Sequence, residues 1–161
     1  KGLSFANGVA LSDDEQWLYV NETGKYRVWK ISVNLHDWDL NRPSESARVF
    51  FENLPGYPDN LSRGLNGKIW LGFAKPRNPA IERITITSSP FIRKLTYRLP
   101  TFLWPVPKPY GHVFAFTEDG TVVVDLQDPS GKYPETTGVT ETEDRLYIQS
   151  LHAKGIGWLP K

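Results

Sequence analysis

Two pairs of oxygen-bearing residues offer the first chemistry in this sequence. Asn7-Gly8 and Asp59-Asn60 each open a short β-type run. Amide and carboxylate oxygens that converge from several such runs form the kind of site that binds Ca²⁺, which takes about six to eight oxygen ligands. The same pairs also occur as turn residues at the entrance of a strand, and turns account for most such pairs. The pattern alone leaves both a metal site and plain turns open.

A general base is harder to assign. The histidines of the chain are His36, His112 and His152. His112 lies inside a predicted middle strand, which favours packing, and His36 lies in a polar loop. His152 follows the second strand of the last repeat and is placed to face a rim. The chain has no cysteine, which excludes disulfides, thiolate metal sites and a cysteine nucleophile.

Length and charge narrow the class of protein. The 161 residues amount to one domain at roughly 100–200 residues per domain. A net charge of +1 gives no general attraction to nucleic acid. No apolar run approaches the roughly 20 residues that cross a bilayer. The start, Lys1-Gly2-Leu3-Ser4, has no signal-peptide pattern and Met is absent, so we expect a processed or truncated piece of a longer polypeptide.

Short β-type runs supply the scaffold that must position these residues. Runs rich in β-branched and aromatic residues, such as Trp17–Val20, end at Gly, Asn or Asp. They recur in the same order over residues 3–54, 55–128 and 129–161, each time as a four-stranded meander, except that the third stops after its third strand. This pattern predicts an all-β fold: a β-propeller of about three four-stranded blades, which is half of a six-bladed ring.

The second repeat contains an insertion, residues 74–109, that breaks the β pattern and carries seven prolines. Pro79–Thr85 and Pro90–Leu99 are each compatible with a short helix that begins at a proline. We expect a partly helical segment that either packs on the surface or forms a lid over the central channel.

Three blades do not close a ring, since propellers have about four to eight. Two flanks would stay open, and unpaired strand edges favour association. We therefore expect this chain to self-associate or to pair with the missing half of the ring.

Several stretches of the chain resemble one family of proteins. They are Phe5–Ser12 followed by Leu18–Thr23, Glu52–Asn60 followed by Gly67–Gly72, the insertion from Arg77 to Lys94, and Glu141–Ile148. Together they resemble the strictosidine synthase-like and adipocyte plasma-membrane-associated proteins, in the paraoxonase–gluconolactonase superfamily. The resemblance covers essentially the whole chain and corresponds to the C-terminal half of a six-bladed propeller.

The resemblance implies a metal site and a reaction. Paraoxonases and gluconolactonases hydrolyse lactones and esters with Ca²⁺ or another divalent cation. The positions that match their metal ligands are Asn7, Asp59 and, in the paraoxonases, Asn60. The remaining ligands of those relatives lie in the half that is missing here, so the resemblance implies an incomplete shell in this chain.

One departure from the family bears on the reaction. The catalytic glutamate of true strictosidine synthase matches Thr137 here, with Glu135 two residues upstream. Threonine cannot act as a carboxylate acid or base near neutral pH, so strictosidine synthase activity is disfavoured. Contacts to the metal ligands or the substrate are expected from Glu22, Thr137, Trp104 and His152, although the pattern favours bonds from Glu22 to nearby turn amides or Arg27.

The sequence therefore predicts a divalent-metal-dependent hydrolase of small esters or lactones, in which a bound cation polarises the carbonyl and activates water. One alternative is a non-catalytic propeller that binds a ligand or a protein at the same mouth, the end of the central channel where Asn7 and Asp59 are expected. A second alternative is a strictosidine synthase-type carbon–nitrogen lyase. Relatives are often secreted or membrane-anchored through N-terminal segments. The residues define neither the natural substrate, the metal, the general base nor the compartment.

Overall fold

A computed structural model describes residues 1–42, 44–84, 89–100, 103 and 107–161. The described residues form strands and two short helices, with the following bounds: β1 Ala6–Leu11, β2 Trp17–Glu22, β3 Arg27–Ser32, β4 Ala47–Phe51, β5 Gly56–Arg63, β6 Ile69–Pro76, α1 Pro79–Glu82, α2 Pro90–Thr96, β7 Gly111–Phe116, β8 Val122–Asp128, β9 Thr136–Glu141, β10 Arg145–Ser150 and β11 Gly157–Pro160.

The strands form three antiparallel meanders. Sheet 1 has the order β1-β2-β3-β4, sheet 2 has β5-β6-β7-β8, and sheet 3 has β9-β10-β11. Strand β5 of sheet 2 contacts both β1 and β9, so sheet 2 lies between the other two. The chain thus forms consecutive blades of a β-propeller, with a three-stranded third blade. This confirms the predicted all-β fold.

Glycine allows neighbouring blades to approach one another closely near the axis. A Cβ atom on Gly8 of β1 would overlap the backbone of Asp59 and Leu61 in β5. A Cβ atom on Gly72 of β6 would overlap the backbone of Thr137 in β9. Because only glycine lacks this atom, the backbones meet in direct contact around the axis.

Two apolar clusters fill the space between the sheets. The cluster between sheets 1 and 2 is mainly aromatic, and the fully buried Tyr19 lies 5.9 Å from Phe116, ring centroid to ring centroid. The cluster between sheets 2 and 3 is smaller and surrounds Trp70, with Val139 and Leu146 from sheet 3. Aromatic edge-to-face packing therefore adds to apolar burial between sheets 1 and 2, whereas apolar burial around Trp70 holds sheet 3 to sheet 2.

A buried carboxylate links sheet 3 to sheet 2. Glu141 at the end of β9 accepts hydrogen bonds from Trp70 Nε1 at 2.8 Å and from the Leu65 amide at 3.0 Å. It also pairs with Lys68 and Lys161. Burial alone would raise the pKa of Glu141, but the bonds from Lys161, Lys68 and Trp70 outweigh it and lower the pKa to about 2.

The insertion lies between β6 and β7 and contains both helices. Strand β6 continues through Ala74 to Pro76, which pairs with Gly56. Each helix begins with a proline and is capped by the side chain before it, Asn78 for α1 and Ser89 for α2. None of the described helices has the length and apolar character needed to cross a membrane.

The apolar face of α2 points outward. Phe91 is 74% exposed and Leu95 is 55% exposed. Helix α2 ends at Thr96 and α1 at Glu82, so both are shorter than the ranges Pro90–Leu99 and Pro79–Thr85 that the proline spacing predicts. The carboxyl end of the first predicted range lies outside the described residues.

Replacement of Glu141 by Gln is expected to lower the free energy of unfolding by roughly 2–3 kcal/mol, because it leaves two partly buried lysines without their partner. The pKa of Glu141 falls from 4.5 to about 2 on folding. Its stabilising effect is therefore complete above about pH 4.5 and is lost as the pH falls toward 2. Urea denaturation at pH 7 and pH 3 measures this, and the gap between the two proteins should narrow at pH 3.

Glu143→Gln is the matched control, since Glu143 is exposed in the adjacent turn. It should leave the urea midpoint unchanged. A loss that is equally large at both pH values, or equal in the control, would contradict the role given to Glu141.

Candidate functional site

The registers of the three sheets make three positions equivalent. In each sheet one residue of the inner strand pairs with an aromatic residue of the second strand, and these pairs are Ala10–Tyr19, Ser62–Trp70 and Thr140–Tyr147. The residues three positions before Ala10, Ser62 and Thr140 on these inner strands are, in turn, Asn7, Asp59 and Thr137. The predicted ligands Asn7 and Asp59 thus lie at the same height along the propeller axis as Thr137, and we call this height their level.

A β-bulge lies at this level in every blade. Regular pairing is interrupted between Ala6 and Val9 in β1, between Pro58 and Leu61 in β5, and around Thr137 in β9. Each inner strand carries one more residue here than its partner strand. Bulges bend a strand and re-aim its side chains, and they are over-represented next to active sites. The bulges of the inner strands therefore lie at the positions of the candidate ligands.

Asn7 and Asp59 meet across the gap between two blades. Nδ2 of Asn7 donates a hydrogen bond to Oδ1 of Asp59 at 2.7 Å. Their side chains are half-buried. Because the residues are 52 positions apart in sequence, only the radial stacking of blades brings them together. The expectation that these two strand entrances converge is met by this contact.

The carboxylate of Asp59 lacks a cationic partner within the described part of the chain. Burial raises the pKa of Asp59, and the hydrogen bond from the neutral amide of Asn7 opposes this only in part. A charged group in this position is less stable than the same group in water. A bound cation would relieve that cost.

Asn21 supplies a further oxygen beside Asp59. It is fully buried in β2, and its Nδ2 donates to the backbone carbonyl of Asp59 at 2.6 Å. Its Oδ1 is buried and has no hydrogen-bond partner among the residues that the structure describes. An orphaned buried acceptor is costly unless a donor or a cation satisfies it. Sequence reasoning missed this residue, although it stands in the Leu18–Thr23 stretch.

Asn60 lies one position along β5 from Asp59. The register makes it equivalent to Gly8 and Gly138. A Cβ atom placed on Gly138 would lie 3.2 Å from Cβ of Asn60. The Cβ atom of Asn60 therefore lies next to β9, one position from the level that Asn7 and Asp59 share.

The residues present suit a hard cation in kind but not in number. Asn7, Asp59 and Asn60 offer one carboxylate and two amide oxygens, whereas Ca²⁺ takes about six to eight. Among the described residues, no group of three or more His, Asp or Glu side chains is placed to hold a metal ion. In addition, Asn7 turns its nitrogen toward Asp59, so cation binding requires the amide oxygen to take that place.

Glu22 is fully buried and hydrogen bonded on both oxygens. It accepts from the Ser4 amide at 2.8 Å, from Arg27 Nε at 2.5 Å and from Trp29 Nε1 at 2.7 Å. Burial would raise the pKa of Glu22, but these hydrogen bonds outweigh it and lower the pKa. Glu22 thus fixes the segment that leads into β1, directly before Asn7.

A histidine–carboxylate pair lies at the entrance of β9. His152 Nδ1 contacts Oε2 of Glu135, and Lys75 Nζ lies 3.3 Å from Oε1 of the same carboxylate. His152 is 68% exposed, and Glu135 is largely buried. Glu135 also has a positive φ of 53°, a conformation that costs energy for a residue with a Cβ atom and is often found at functional sites.

The other predicted contacts are distributed as follows. Thr137 is buried in β9 beside Gly72. Trp104 lies outside the described residues. His112, expected to pack, stacks on Phe73 at 4.6 Å between ring centroids. The site residues that sequence reasoning missed are therefore Asn21 and Lys75, together with the pairing of Glu135 with His152.

Asp59→Asn is expected to raise the thermal midpoint by about 2–4 °C in the presence of EDTA, which corresponds to roughly 1 kcal/mol for a chain of this size. Burial raises the pKa of Asp59, so the ionised carboxylate weakens the fold at neutral pH, and Asn removes the charge while keeping an acceptor for Asn7. Calorimetry measures the midpoint.

Asp119→Asn provides a control of opposite sign. Hydrogen bonds from Thr117 and Thr121 lower the pKa of Asp119, so this substitution should lower the midpoint or leave it unchanged. If Asp59→Asn destabilises the chain as well, the carboxylate has a structural role instead.

Comparison with known proteins identifies relatives over most of the chain. Residues 1–101 match the family model described as "SMP-30/Gluconolactonase/LRE-like region". The chain is 35% identical over 159 residues to the adipocyte plasma membrane-associated protein of Danio rerio, covering 95% of this chain and 37% of the relative. It is 30% identical to protein STRICTOSIDINE SYNTHASE-LIKE 10 of Arabidopsis thaliana, covering 98% of this chain and 41% of the relative.

Among solved structures, a luciferin-regenerating enzyme is similar with a TM-score of 0.49 and 18% sequence identity, covering 90% of this chain and 37% of that chain. The chain spans about two fifths of the length of the curated relatives it matches. The family match over residues 1–101 shows that this chain belongs to the SMP-30/gluconolactonase/LRE-like family, with strictosidine synthase-like and adipocyte plasma membrane-associated proteins among its relatives.

Proposed function

We propose that the complete gene product that carries this chain hydrolyses small esters or lactones with a divalent cation, Ca²⁺ or a similar ion, held at the mouth where Asn7 and Asp59 meet. The observation that carries the proposal is the 2.7 Å contact between these two side chains from different blades, at a half-buried carboxylate without a cationic partner among the described residues. The names of the family and of its gluconolactonase members favour hydrolysis over plain binding.

Each residue of the mouth has a defined part in this proposal. Asp59 contributes the negative charge, and Asn7 and Asn60 contribute amide oxygens. Asn21 holds the Asp59 carbonyl and offers a buried oxygen that lacks a donor. When bound, the cation polarises the substrate carbonyl and lowers the pKa of an attacking water. The remaining oxygens come from the rest of the gene product.

His152 is our candidate for the base that accepts a proton from water. Its Nδ1 faces Glu135, which would fix the ring and favour the tautomer with Nε2 free to accept. Lys75 holds the other oxygen of Glu135 and so fixes the carboxylate. Glu135 directly precedes β9, the strand that carries Thr137, so the pair lies at the strand end nearest the level of Asn7 and Asp59.

Hydrolysis of phenyl acetate and δ-valerolactone by the complete gene product should depend on the cation. We expect EDTA to abolish turnover and Ca²⁺ to restore it, because the carbonyl is then polarised. Asp59→Asn should lower kcat/KM at least 100-fold, since it removes the only charge among the three proposed ligands. Turnover that is indifferent to EDTA would reject this function and leave the binding propeller as the alternative.

His152→Gln should lower kcat roughly 100-fold, in line with the usual contribution of general-base catalysis. Spectrophotometric assays at neutral pH measure the rate, and calorimetry measures the thermal midpoint of the same variant. His36→Gln is the control and should keep the rate. A loss of rate that is accompanied by an equal loss of thermal stability would show that His152 acts only on structure.

A further inference from the structure

A cavity beside the proposed mouth is not used by that function. It has a volume of about 770 Å³ and lies between the 3-10 turn Thr23–Lys25 of the first blade and helix α2 of the insertion. Sheet 2 contributes Tyr57 to its wall. The cavity is thus built from three separate parts of the chain.

The lining of this cavity carries positive charge only. Lys25, Arg93 and Lys94 line it, and none of the other described lining residues is an Asp or a Glu. Within the described ranges none of these cations forms an ion pair with a carboxylate. Three cations without a counter-charge repel one another and attract an anion.

Aromatic rings provide the remaining wall. Tyr26, Tyr57 and Tyr97 line the cavity, and the rings of Tyr26 and Tyr57 lie 4.9 Å apart, centroid to centroid. Arg77 stacks over Tyr26 at 4.5 Å and also pairs with Glu82, which fixes the wall from behind. Burial, followed by the hydrogen bond with Tyr57, raises the pKa of Tyr26, so this phenol adds no negative charge.

The cavity is attached directly to the proposed mouth. Thr23 Oγ1 donates to the Pro58 carbonyl at 2.5 Å, so the 3-10 turn is anchored one residue before Asp59. Tyr57 precedes Asp59 by two residues on β5, which separates their Cα atoms by about 7 Å at the usual rise of a strand. One wall of the cavity and Asp59 therefore belong to the same short stretch of β5.

We propose that this cavity binds an organic anion, namely a carboxylate or phosphate attached to a ring or a similar apolar body. Arg93, Lys94 and Lys25 hold the charged group through charge-assisted hydrogen bonds, and the tyrosines pack against the body. The extension to catalysis, that preferred esters carry such a negative group, rests on the proposed function. The binding itself does not.

Calorimetric titration of the complete gene product in EDTA tests the binding without turnover. The probes are 2-naphthyl phosphate, 2-naphthoate, 2-naphthol and inorganic phosphate. We expect at least one naphthyl anion to bind at least tenfold more tightly than 2-naphthol and than inorganic phosphate. Its affinity should fall as NaCl rises from 50 to 300 mM. Equal affinity for 2-naphthol, or no naphthyl anion bound at millimolar concentration, would overturn the proposal.

Variants locate the site. Arg93→Gln combined with Lys94→Gln should weaken the naphthyl anion at least tenfold, and Lys25→Gln should weaken it less. Arg98→Gln is the matched control, because Arg98 follows α2 but does not line the cavity. An equal loss in the control, or no loss in the double variant, would overturn the assignment. Since EDTA removes the cation, binding and hydrolysis can fail independently.

Discussion

Backbone contact between neighbouring blades is the constraint on which the rest of this structure depends. Gly8 and Gly72 remove the Cβ atoms that would otherwise separate the blades. The gap that remains is filled by the backbone of the next blade, so the three inner strands share one level and one register. Side chains from residues 52 positions apart can then reach hydrogen-bonding distance, as Asn7 and Asp59 do. Without that contact the oxygens would face solvent separately.

Three buried or half-buried carboxylates in the same fold have different surroundings. Glu22 and Glu141 each accept hydrogen bonds from a cationic side chain, an indole and a backbone amide, and both have lowered pKa values. They lock one segment to another. Asp59 receives one bond from a neutral amide, and its pKa is raised. The carboxylate of Asp59 therefore does not stabilise the fold as those of Glu22 and Glu141 do.

Much of this architecture could be predicted from local patterns, because short apolar runs and turn residues mark strands wherever they occur. The repeat order predicted the three meanders, and the position of Asn7 and Asp59 at strand entrances predicted their convergence. The position of Asn60 next to β9 could not be predicted from the sequence, because a bulge in β5 shifts the in-and-out alternation of the side chains by one residue. The pair Glu135–His152 was also hidden, because it forms across a loop whose path only the folded backbone defines.

The equivalence of Asn7, Asp59 and Thr137 has an evolutionary consequence. Each blade offers the axis one bulged position whose side chain is not required by the hydrogen-bond ladder, and three different polar residues already occupy it here. Close backbone contact restricts the neighbouring positions to small residues such as glycine, but it does not restrict the residue type at the bulged position. A lineage can therefore exchange a metal-binding chemistry for an acid–base one, or lose both, by single substitutions that leave the scaffold intact.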